Sequence, residues 1–426
     1  MHRCGLLLAL TWFLALPSFG QQHDLIGYWH NWNDANAPYL ELADIDPRYT
    51  IIDVAFAEPL PGTSHFMAFS PTGTDQTSFI AQIASLQANG KKVLISIGGA
   101  NAAVHLDSDQ ERDEFVSSML GIISGYGFDG LDIDLEGSSV AISGGTIASP
   151  ADASIIRLID AINAIAEEFE STHGVPMMLT AAPETAYVQG GMSAFGGIWG
   201  AYLPLLEGLR DRIDILHVQL YNSGSMYGID GGIYSQGTAD FVVSQTEALL
   251  QGFNTTGGAF APFPPEKIAI GLPACPSAAG AGYVPPSVLE AAVNYLRGTG
   301  PQPGSYSGVS TYPSLRGLMT WSINWDAAPG CAEAYEFAES YETLFTITTS
   351  TPEIASAIST VVFDGAALLI PEPLIGKRLL LSDALGRSLG TATCSTGRLE
   401  LPPLAPGIYY IRDSSTDGLA LKVLVP

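Results

Sequence analysis

The sequence is poor in basic residues. Its 426 residues include 17 lysines and arginines against 43 aspartates and glutamates, for a formal net charge of −26. The few basic residues form no patch, so we expect no binding to nucleic acid or to an anionic membrane. Disorder is also disfavoured, because 47% of the residues are hydrophobic and only 14% are charged.

Long apolar runs are lacking beyond the N-terminus. There, Arg3 precedes an apolar run over 5–16, and the small residues Ser18 and Gly20 follow it. This pattern is typical of a secretory signal peptide, which we predict over 1–20. The run is too short to span a membrane, and no later stretch reaches about 18 unbroken apolar residues. We therefore expect a protein without a membrane span that is secreted, extracellular or on a bacterial cell surface.

Motifs of cofactor chemistry are lacking as well. The histidines beyond residue 20 show no metal-binding spacing. The sequence contains neither a GxSxG elbow nor a phosphate-binding Walker loop. We therefore expect no cofactor and no metal.

Eight short apolar runs alternate with longer segments of helical periodicity from residue 24 onward. Nearly continuous apolar runs are expected of parallel strands that are covered on both faces. Eight strand–helix units predict an α/β fold, a (β/α)8 TIM barrel over 21–347. A doubly wound open sheet is the alternative. The runs lie at 25–29, 50–57, 92–99, 130–136, 177–183, 215–222, 267–274 and 317–324.

The character of the sequence changes near residue 348. The stretch "TTSTP" opens a predicted linker over 348–360. Short strand-like runs with glycine and proline turns then predict a small all-β, sandwich-like domain over 361–426. Its "PGIYYIR" core and closing strand resemble the sorting domain of type IX secretion substrates, which implies the secretion machinery as a partner. A fibronectin-like or carbohydrate-binding module is the alternative.

Cysteine is scarce, with four residues in the chain, and Cys4 lies in the predicted signal peptide. An odd number therefore remains, which implies at least one unpaired thiol or an intermolecular bond. Cys275 and Cys331 follow neighbouring predicted strands on the same face of the barrel, so a disulfide between them is one interpretation. Two small buried thiols are the other. Cys394 lies in the predicted C-terminal domain.

The stretch "GFDGLDIDLEG" (127–137) places Asp132, Asp134 and Glu136 at alternate positions. Alternate side chains of a strand share a face, so the three acids form one row that points into the barrel. A solvated polar face does not suit a central strand, and a calcium loop would need an acid where Ser143 stands. Crowded carboxylates push their pKa values apart, and one that stays protonated can serve as a general acid, which favours cleavage of a glycosidic bond.

The stretch contains one further acid, Asp129. Together the four acids fit the DxxDxDxE signature of glycoside hydrolase family 18, the chitinase family. Other segments resemble the D-type bacterial chitinases of that family, over most of 24–345. The resemblance implies chitin and chito-oligosaccharides as substrates. These segments are "GYWHNWND" (27–34), "SIGG" (96–99), "LTAAPETAYVQGG" (179–191), "VQLYN" (218–222) and "GLMTWSINWD" (317–326).

The resemblance implies a role for each matching residue in a substrate-assisted, retaining reaction. Glu136 would protonate the leaving oxygen, and Asp134 would hold the substrate acetamide. Asp132 would share a proton with Asp134, and Tyr221 would hydrogen-bond the acetamide oxygen as it attacks. The remaining motif positions Asp129, Ser96 and Gly99 would be structural.

Further residues are candidates for contact with substrate. Trp321 would form the floor of the sugar site at the cleavage point, and aromatic residues at the ends of the first and last strands would stack on sugar rings. Gln219 should face inward with Tyr221 by strand parity. Ala181, where many relatives have Met, would belong to the pocket wall. The substrate-binding candidates are therefore Trp321, Gln219, Asn222, Tyr28, Trp29, Ala181 and Gly98.

The segment between predicted strands 7 and 8 leaves no room for an extra domain, so we expect an open groove and endo action. Two alternatives remain. An endo-β-N-acetylglucosaminidase acting on N-glycans shares the four-acid signature. A non-catalytic chitinase-like lectin typically lacks the acid at the position of Glu136, which is present here.

Overall fold

The computed structural model describes residues 23–331, 333–345, 362–363, 367–369, 375–383, 387–393, 395, 398–400, 407–413 and 420–425. The chain divides into two compact units, with the boundary between Thr346 and Ile347. The predicted signal peptide, the predicted linker and Cys394 lie outside the described residues. No helix of the described part is long and apolar enough to cross a membrane.

The first unit is built on eight parallel strands. Their order around the sheet is β7-β8-β1-β2-β3-β4-β5-β6, and single bridges of Leu216 with Ile268 and of Gln219 with Gly271 link the last strand to the first. The predicted TIM barrel is therefore confirmed, and the open sheet is excluded. The strands are β1 Asp24–His30, β2 Ile51–Pro59, β3 Lys92–Gly99, β4 Gly130–Leu135, β5 Met178–Ala181, β6 Ile215–Leu216, β7 Ala269–Pro273 and β8 Gly317–Trp321.

Helices of the first unit alternate with these strands. Four of them begin at a side-chain cap, since Asp75, Ser108, Thr238 and Ser322 each accept a hydrogen bond from the backbone N–H three residues on. Their apolar faces pack against the outside of the barrel in one large core. The helices are α1 Gln76–Ala88, α2 Asp109–Tyr126, α3 Ala153–His173, α4 Leu203–Gly208, α5 Ala239–Gln251, α6 Pro286–Arg297, α7 Ile323–Ala327 and α8 Glu336–Phe345.

Strand parity separates the two faces of the barrel wall. On β1, Leu25 and Trp29 join the core under the helices, whereas Ile26 and Tyr28 join a smaller cluster inside the barrel. The same alternation on β4 sends Leu131, Ile133 and Leu135 outward and leaves the acids between them facing the interior.

Regular pairing of β6 is shorter than the predicted run over 215–222. It ends at Leu216, and Gln219 then makes only single bridges to Glu184 and Gly271. One physical reason lies in the adjacent segment after β5. There Pro183 accepts a hydrogen bond from the Gln219 N–H, but it has no N–H of its own to return one.

Loops after the strands carry short additional elements. Met67–Ala68 pairs with the end of β2, and two hairpins pair Ser225–Tyr227 with Ile233–Ser235 and Phe253–Thr255 with Gly258–Phe260. Cys275, just beyond β7, and Cys331, beyond α7, form a disulfide with their Cα atoms 5.7 Å apart.

The described residues of the second unit form two small antiparallel sheets. In one, β10 lies between β9 and β13, and the other has the order β12-β11-β14-β15. Leu379, Leu381 and Ile411 are buried on the four-stranded sheet. An all-β architecture is therefore observed for the described residues of this unit. Its strands are β9 Val362–Phe363, β10 Ala367–Leu369, β11 Arg378–Asp383, β12 Ser388–Thr393, β13 Arg398–Glu400, β14 Gly407–Asp413 and β15 Ala420–Val425.

Candidate active site

One cavity at the C-terminal end of the barrel strands brings together six of the candidate residues, at the face where barrel enzymes carry their active sites. Asp134 on β4 and Glu136 just beyond it are the two carboxyl groups among its lining residues. Glu136 is half-buried, and Asp134 is only 2% exposed. The cavity is lined by Phe56, Ala100, Asp134, Glu136, Gln219, Tyr221, Asn222, Ala278, Ala279 and Trp321.

Asp132 lies deeper in the barrel and is fully buried. Its Oδ2 accepts hydrogen bonds from the hydroxyls of Tyr28 and Ser96, each at 2.6 Å, and its Oδ1 accepts one from Thr180 at 2.7 Å. No hydrogen bond of the described residues joins Asp132 to Asp134. Three hydroxyl donors therefore fix Asp132 in place, and Ser96 and Tyr28 serve as its supports.

The side-chain amide of Gln219 hydrogen-bonds both Asp134 and Glu136, the two acids of the row nearest the C-terminal end of β4. Its Nε2 donates to Asp134 Oδ1 at 2.7 Å, to Glu136 Oε1 at 3.0 Å and to the carbonyl oxygen of Ala182 at 3.0 Å. Burial first, and then the charges of Glu136 and Asp132, raises the pKa of Asp134 well above its usual range. Burial likewise raises the pKa of Glu136, and the bond from Gln219 partly offsets that rise. The pair can therefore retain a proton, which a general acid requires.

Tyr221 closes one side of the cavity and is 5% exposed. Burial, and then the neighbouring Asp134, raises the pKa of its phenol well above the usual value, so the hydroxyl keeps its proton and can donate a hydrogen bond. The loop after β7 packs closely against this residue, because a Cβ at Gly282 would lie 2.6 Å from the Tyr221 Cα. Asn222 holds the same loop, since its Oδ1 accepts from the backbone N–H of Ala281 at 3.1 Å.

Aromatic rings cluster around Trp321, which is half-buried at the end of β8. Phe56 stacks nearly parallel to it with 6.0 Å between ring centroids, and the Tyr28 ring lies 5.6 Å away. His30 lies between Trp321 and the exposed ring of Trp32, at 4.8 Å and 4.5 Å respectively. Trp321 and Phe56 are therefore the rings of this cluster that line the cavity.

The glycines at the end of β3 allow close approaches that a side chain would prevent. Gly98 has φ +101°, and a Cβ there would lie 2.4 Å from the carbonyl oxygen of Asp134. Gly99 has φ +73°, and a Cβ there would meet the Phe56 ring at 2.7 Å. Both positions therefore shape the cavity through the absence of a side chain.

Tyr28, predicted to bind substrate, is buried against Asp132 and does not line the cavity. Three further predicted site residues lie away from it. Trp29 is fully buried between Tyr39 and Phe79 on the helix side, so its assignment to sugar binding is corrected. Ala181 also joins the outer core, because Thr180 before it occupies the inward position. Asp129 stands at the base of β4, where it pairs with Lys92 at 2.8 Å and accepts from the Val93 N–H, which makes it structural.

Other residues at the site were not singled out from the sequence. Glu184 follows β5, and burial and then the charge of Glu136 raise its pKa to about 7. Its place after "LTAAP", at the C-terminal end of a strand, was a usable signal. Phe56, Ala278 and Ala279 line the cavity, but small or apolar residues carry no distinctive pattern.

Asp53 and His217 were missed as well. Together with Asp132 they are fully buried, and their ligand-type atoms lie within 4.8 Å of one another. A metal would have to share Asp132 with three hydroxyl donors, which already fill most of the roughly four acceptor positions of a carboxylate. We therefore assign no metal or cofactor to the described residues.

Comparison with known proteins agrees with this geometry. Residues 24–326 match the family model described as glycosyl hydrolases family 18. Chitinase D of Niallia circulans is 49% identical over 311 residues, and a chitinase of Paenibacillus xylanexedens is 48% identical over 310. A crystal structure of a family GH18 chitinase from Chromobacterium violaceum superposes with a TM-score of 0.67 at 35% identity.

The extent of these matches is unequal. Each of the two curated relatives is matched over 71% of this chain but over only 58% of its own length. The chain therefore spans little more than half of those relatives. The Chromobacterium structure is matched over 83% of its length and 75% of this chain.

Proposed function

The chain belongs to the glycosyl hydrolases of family 18, and on that premise we propose that it is a chitinase that hydrolyses the β-1,4 bonds of N-acetylglucosamine polymers. One observation carries the proposal. The amide of Gln219 holds Asp134 and Glu136 side by side, 2.7 Å and 3.0 Å from its nitrogen, in a cavity that also presents Tyr221 and Trp321.

Each side chain of this cavity suits one step of the reaction. Glu136, whose pKa is raised by burial, donates its proton to the leaving glycosidic oxygen. Trp321 supports the sugar ring with its aromatic face. Asp134 holds the nitrogen of the substrate acetamide, and the Tyr221 hydroxyl donates to the acetamide oxygen.

The nucleophile in this proposal comes from the substrate. Asp134 and Glu136 are the carboxyl groups among the cavity's lining residues. Asp134 lies on β4 and Glu136 directly follows that strand, so neither faces the other across a bound sugar. Retaining enzymes with a protein nucleophile place two carboxyl groups about 5–5.5 Å apart on opposite sides of the bond. Attack by the acetamide oxygen is a general property of this family, and the chain has the residues to serve it.

Endo action forms part of the proposal. Between the end of β7 and the start of β8, the chain holds only α6 and its connecting loops, which cannot wall off a groove as an extra domain would. Internal cuts should then dominate. Early digests of chitohexaose should contain trimer and tetramer besides dimer, and dimer alone from the earliest times would contradict endo action.

The choice of substrate tests the proposal against its two alternatives. The purified protein should cleave chitohexaose and leave a high-mannose glycoprotein intact. The reverse preference would identify an endo-β-N-acetylglucosaminidase. Binding of chitohexaose without any turnover would identify a lectin.

We also propose that the protein is exported. The signal-like residues 1–20 and the Cys275–Cys331 disulfide support this, since disulfides persist in oxidising compartments. The sorting role of residues 361–426 rests on sequence resemblance alone. A chain truncated after residue 347 should retain activity and fail to leave the cell. Loss of activity in the purified truncation would instead indicate a structural or substrate-binding role for the C-terminal unit.

A further inference from the structure

Three even-numbered strands each place a titratable side chain in the same part of the barrel interior. Asp53 lies on β2, Asp132 on β4 and His217 at the end of β6. All three are fully buried. Alternate strands of such a barrel contribute one layer of interior side chains, which branched apolar residues usually fill. Burying two acids and an imidazole in this layer costs free energy of desolvation, unless the groups are neutral or compensate one another's charge.

Asp53 and His217 are the members of this layer without ordinary partners. Neither carboxylate oxygen of Asp53 and neither ring nitrogen of His217 has a hydrogen-bond partner in the structure. The Nε2 atom of His217 lies 3.5 Å from Asp132 Oδ1 and 3.7 Å from Asp53 Oδ2. The imidazole thus stands between the two carboxyl groups, slightly beyond hydrogen-bond distance of each.

Among the described residues, no side chain with a permanent positive charge pairs with Asp132. Asp132 receives hydrogen bonds from Tyr28, Ser96 and Thr180, which are all neutral hydroxyls. The fourth even-numbered strand, β8, contributes the apolar Met319 to the interior. No lysine or arginine in the described part of the chain pairs with an acid of this layer. Asp134, the other nearby titratable group, is an acid as well.

We propose that Asp53 and His217 hold one proton between them and act as a positioning pair that compensates the charge of Asp132. The proton moves from the Asp53 carboxyl to His217 Nε2 when Asp132 stands as a lone carboxylate, and it returns when Asp132 is neutralised. The shift breaks one O–H bond and forms one N–H bond, so the charge of the layer is unchanged. This inference rests on the proposed function, because it acts through Asp132 on the acids above it.

Burial acts on the proton affinities of Asp53 and His217 in opposite directions. Burial, and then the charge of Asp132, raises the pKa of Asp53 well above its usual range. Burial lowers the pKa of His217, while Asp132 opposes that effect. Burial favours the neutral form of each group, so the pair as a whole retains one proton, while the charge of Asp132 favours the protonated ring.

A double-mutant cycle with pH profiles tests the pair. Asp53→Asn and His217→Gln should each lower kcat on chitohexaose by about ten-fold with an unchanged KM, because neither residue touches substrate. Without the cation, the charge of Asp132 acts uncompensated on Asp134 and raises the pKa of Asp134 further, so the acid limb of the kcat profile should move to higher pH. The double variant should be no worse than the worse single variant. Met319→Leu, in the same interior, is the matched control and should leave the profile in place.

Two kinetic results would overturn the proposal: wild-type pH profiles in both single variants, or losses that multiply in the double variant. One equivalent of tightly bound metal in the purified protein, with activity lost to a chelator, would also overturn it. The proposed function stands separately, since wild-type cleavage of chitohexaose is measured first.

A second measurement needs no variant. Neutron diffraction from deuterated crystals of the full chain counts deuterons directly. Asp53 and His217 together should carry two, wherever the shared one resides. A total of one, from an ionised Asp53 beside a neutral ring, would refute the pair, and so would a total of three.

Discussion

The side-chain amide of Gln219 lies 2.7 Å from the carboxylate of Asp134 and reaches it from the segment after β6, two strands away from β4. The same nitrogen donates to Glu136, so one residue on the β6 segment sets the spacing of two acids on the β4 segment. Each bond stabilises the charged form of its acceptor and thereby limits the rise in pKa that burial causes.

Replacing Gln219 should therefore shift the pH range of activity. Gln219→Met keeps the length of the side chain and removes the donor. The pKa of Glu136 should rise, so the proton donor stays protonated to higher pH and the alkaline limb of kcat/KM moves upward. The loss of alignment should cost on the order of 10-fold in kcat. Gln189→Met, at a buried glutamine that bonds only the Gln245 carbonyl, is the control, and an unmoved alkaline limb in folded Gln219→Met would contradict the role.

Glu136→Gln should abolish most of the turnover. The amide is nearly isosteric with the acid but has no proton to donate, so kcat should fall on the order of 10²–10⁴-fold. Chitohexaose should still bind, as calorimetry would show, and the unfolding temperature should stay close to that of the wild type. A folded variant with wild-type turnover would remove Glu136 from the mechanism.

Glu184 should make stability depend on pH. Burial and the charge of Glu136 raise its pKa from 4.5 to about 7, so the folded state binds this proton more tightly than the unfolded state does. Its contribution therefore becomes unfavourable as pH rises from about 4.5 through about 7. Glu184→Gln should be more stable than the wild type at pH 8, by about 1 kcal/mol for a partly solvated group, and equal to it near pH 4.5. Urea unfolding at both pH values measures this, and an equal gain at both would exclude ionisation as the cause.

The disulfide should stabilise the barrel and steady the wall of the cavity. It closes a loop of 56 residues, for which chain entropy gives about 4 kcal/mol. The double variant with Cys275→Ser and Cys331→Ser should lose about 2–4 kcal/mol of unfolding free energy. The loop it anchors contacts Asn222 and Tyr221, so KM for chitohexaose should rise as well. Unchanged stability with and without reductant in the wild type would contradict this.

The fold and the acid row were predictable because both depend on local periodicity. Continuous apolar runs identified the parallel strands, and alternation within 130–136 identified which side of β4 faces the interior. The same parity, applied to β1, would have placed Trp29 under the helices. Its assignment to the site gave more weight to the residue type than to the position.

Other features of the site depend on contacts that no local pattern records. Phe56 reaches Trp321 because Gly99 leaves room for its ring. Asp53 and His217 look like single polar residues in apolar runs until the barrel closes and brings β2 and β6 to the same layer as Asp132. Their proximity comes from long-range closure and could not be predicted from the sequence.

The stereochemistry of the first product tests the source of the nucleophile. Because the acids that line the cavity lie on β4 and directly after it, the acetamide oxygen of the substrate should attack the anomeric carbon, with Asp134 and Tyr221 stabilising the cyclic oxazolinium ion that results. Water then opens that ion from the face that the leaving group occupied, so the β configuration is retained. Proton NMR of fresh chitohexaose digests should show the β anomer first. Fully deacetylated chitosan and cellohexaose lack the acetamide and should not be cleaved at a useful rate. An α product, or turnover of cellohexaose comparable to that of chitohexaose, would exclude this mechanism and the roles it assigns to Asp134 and Tyr221.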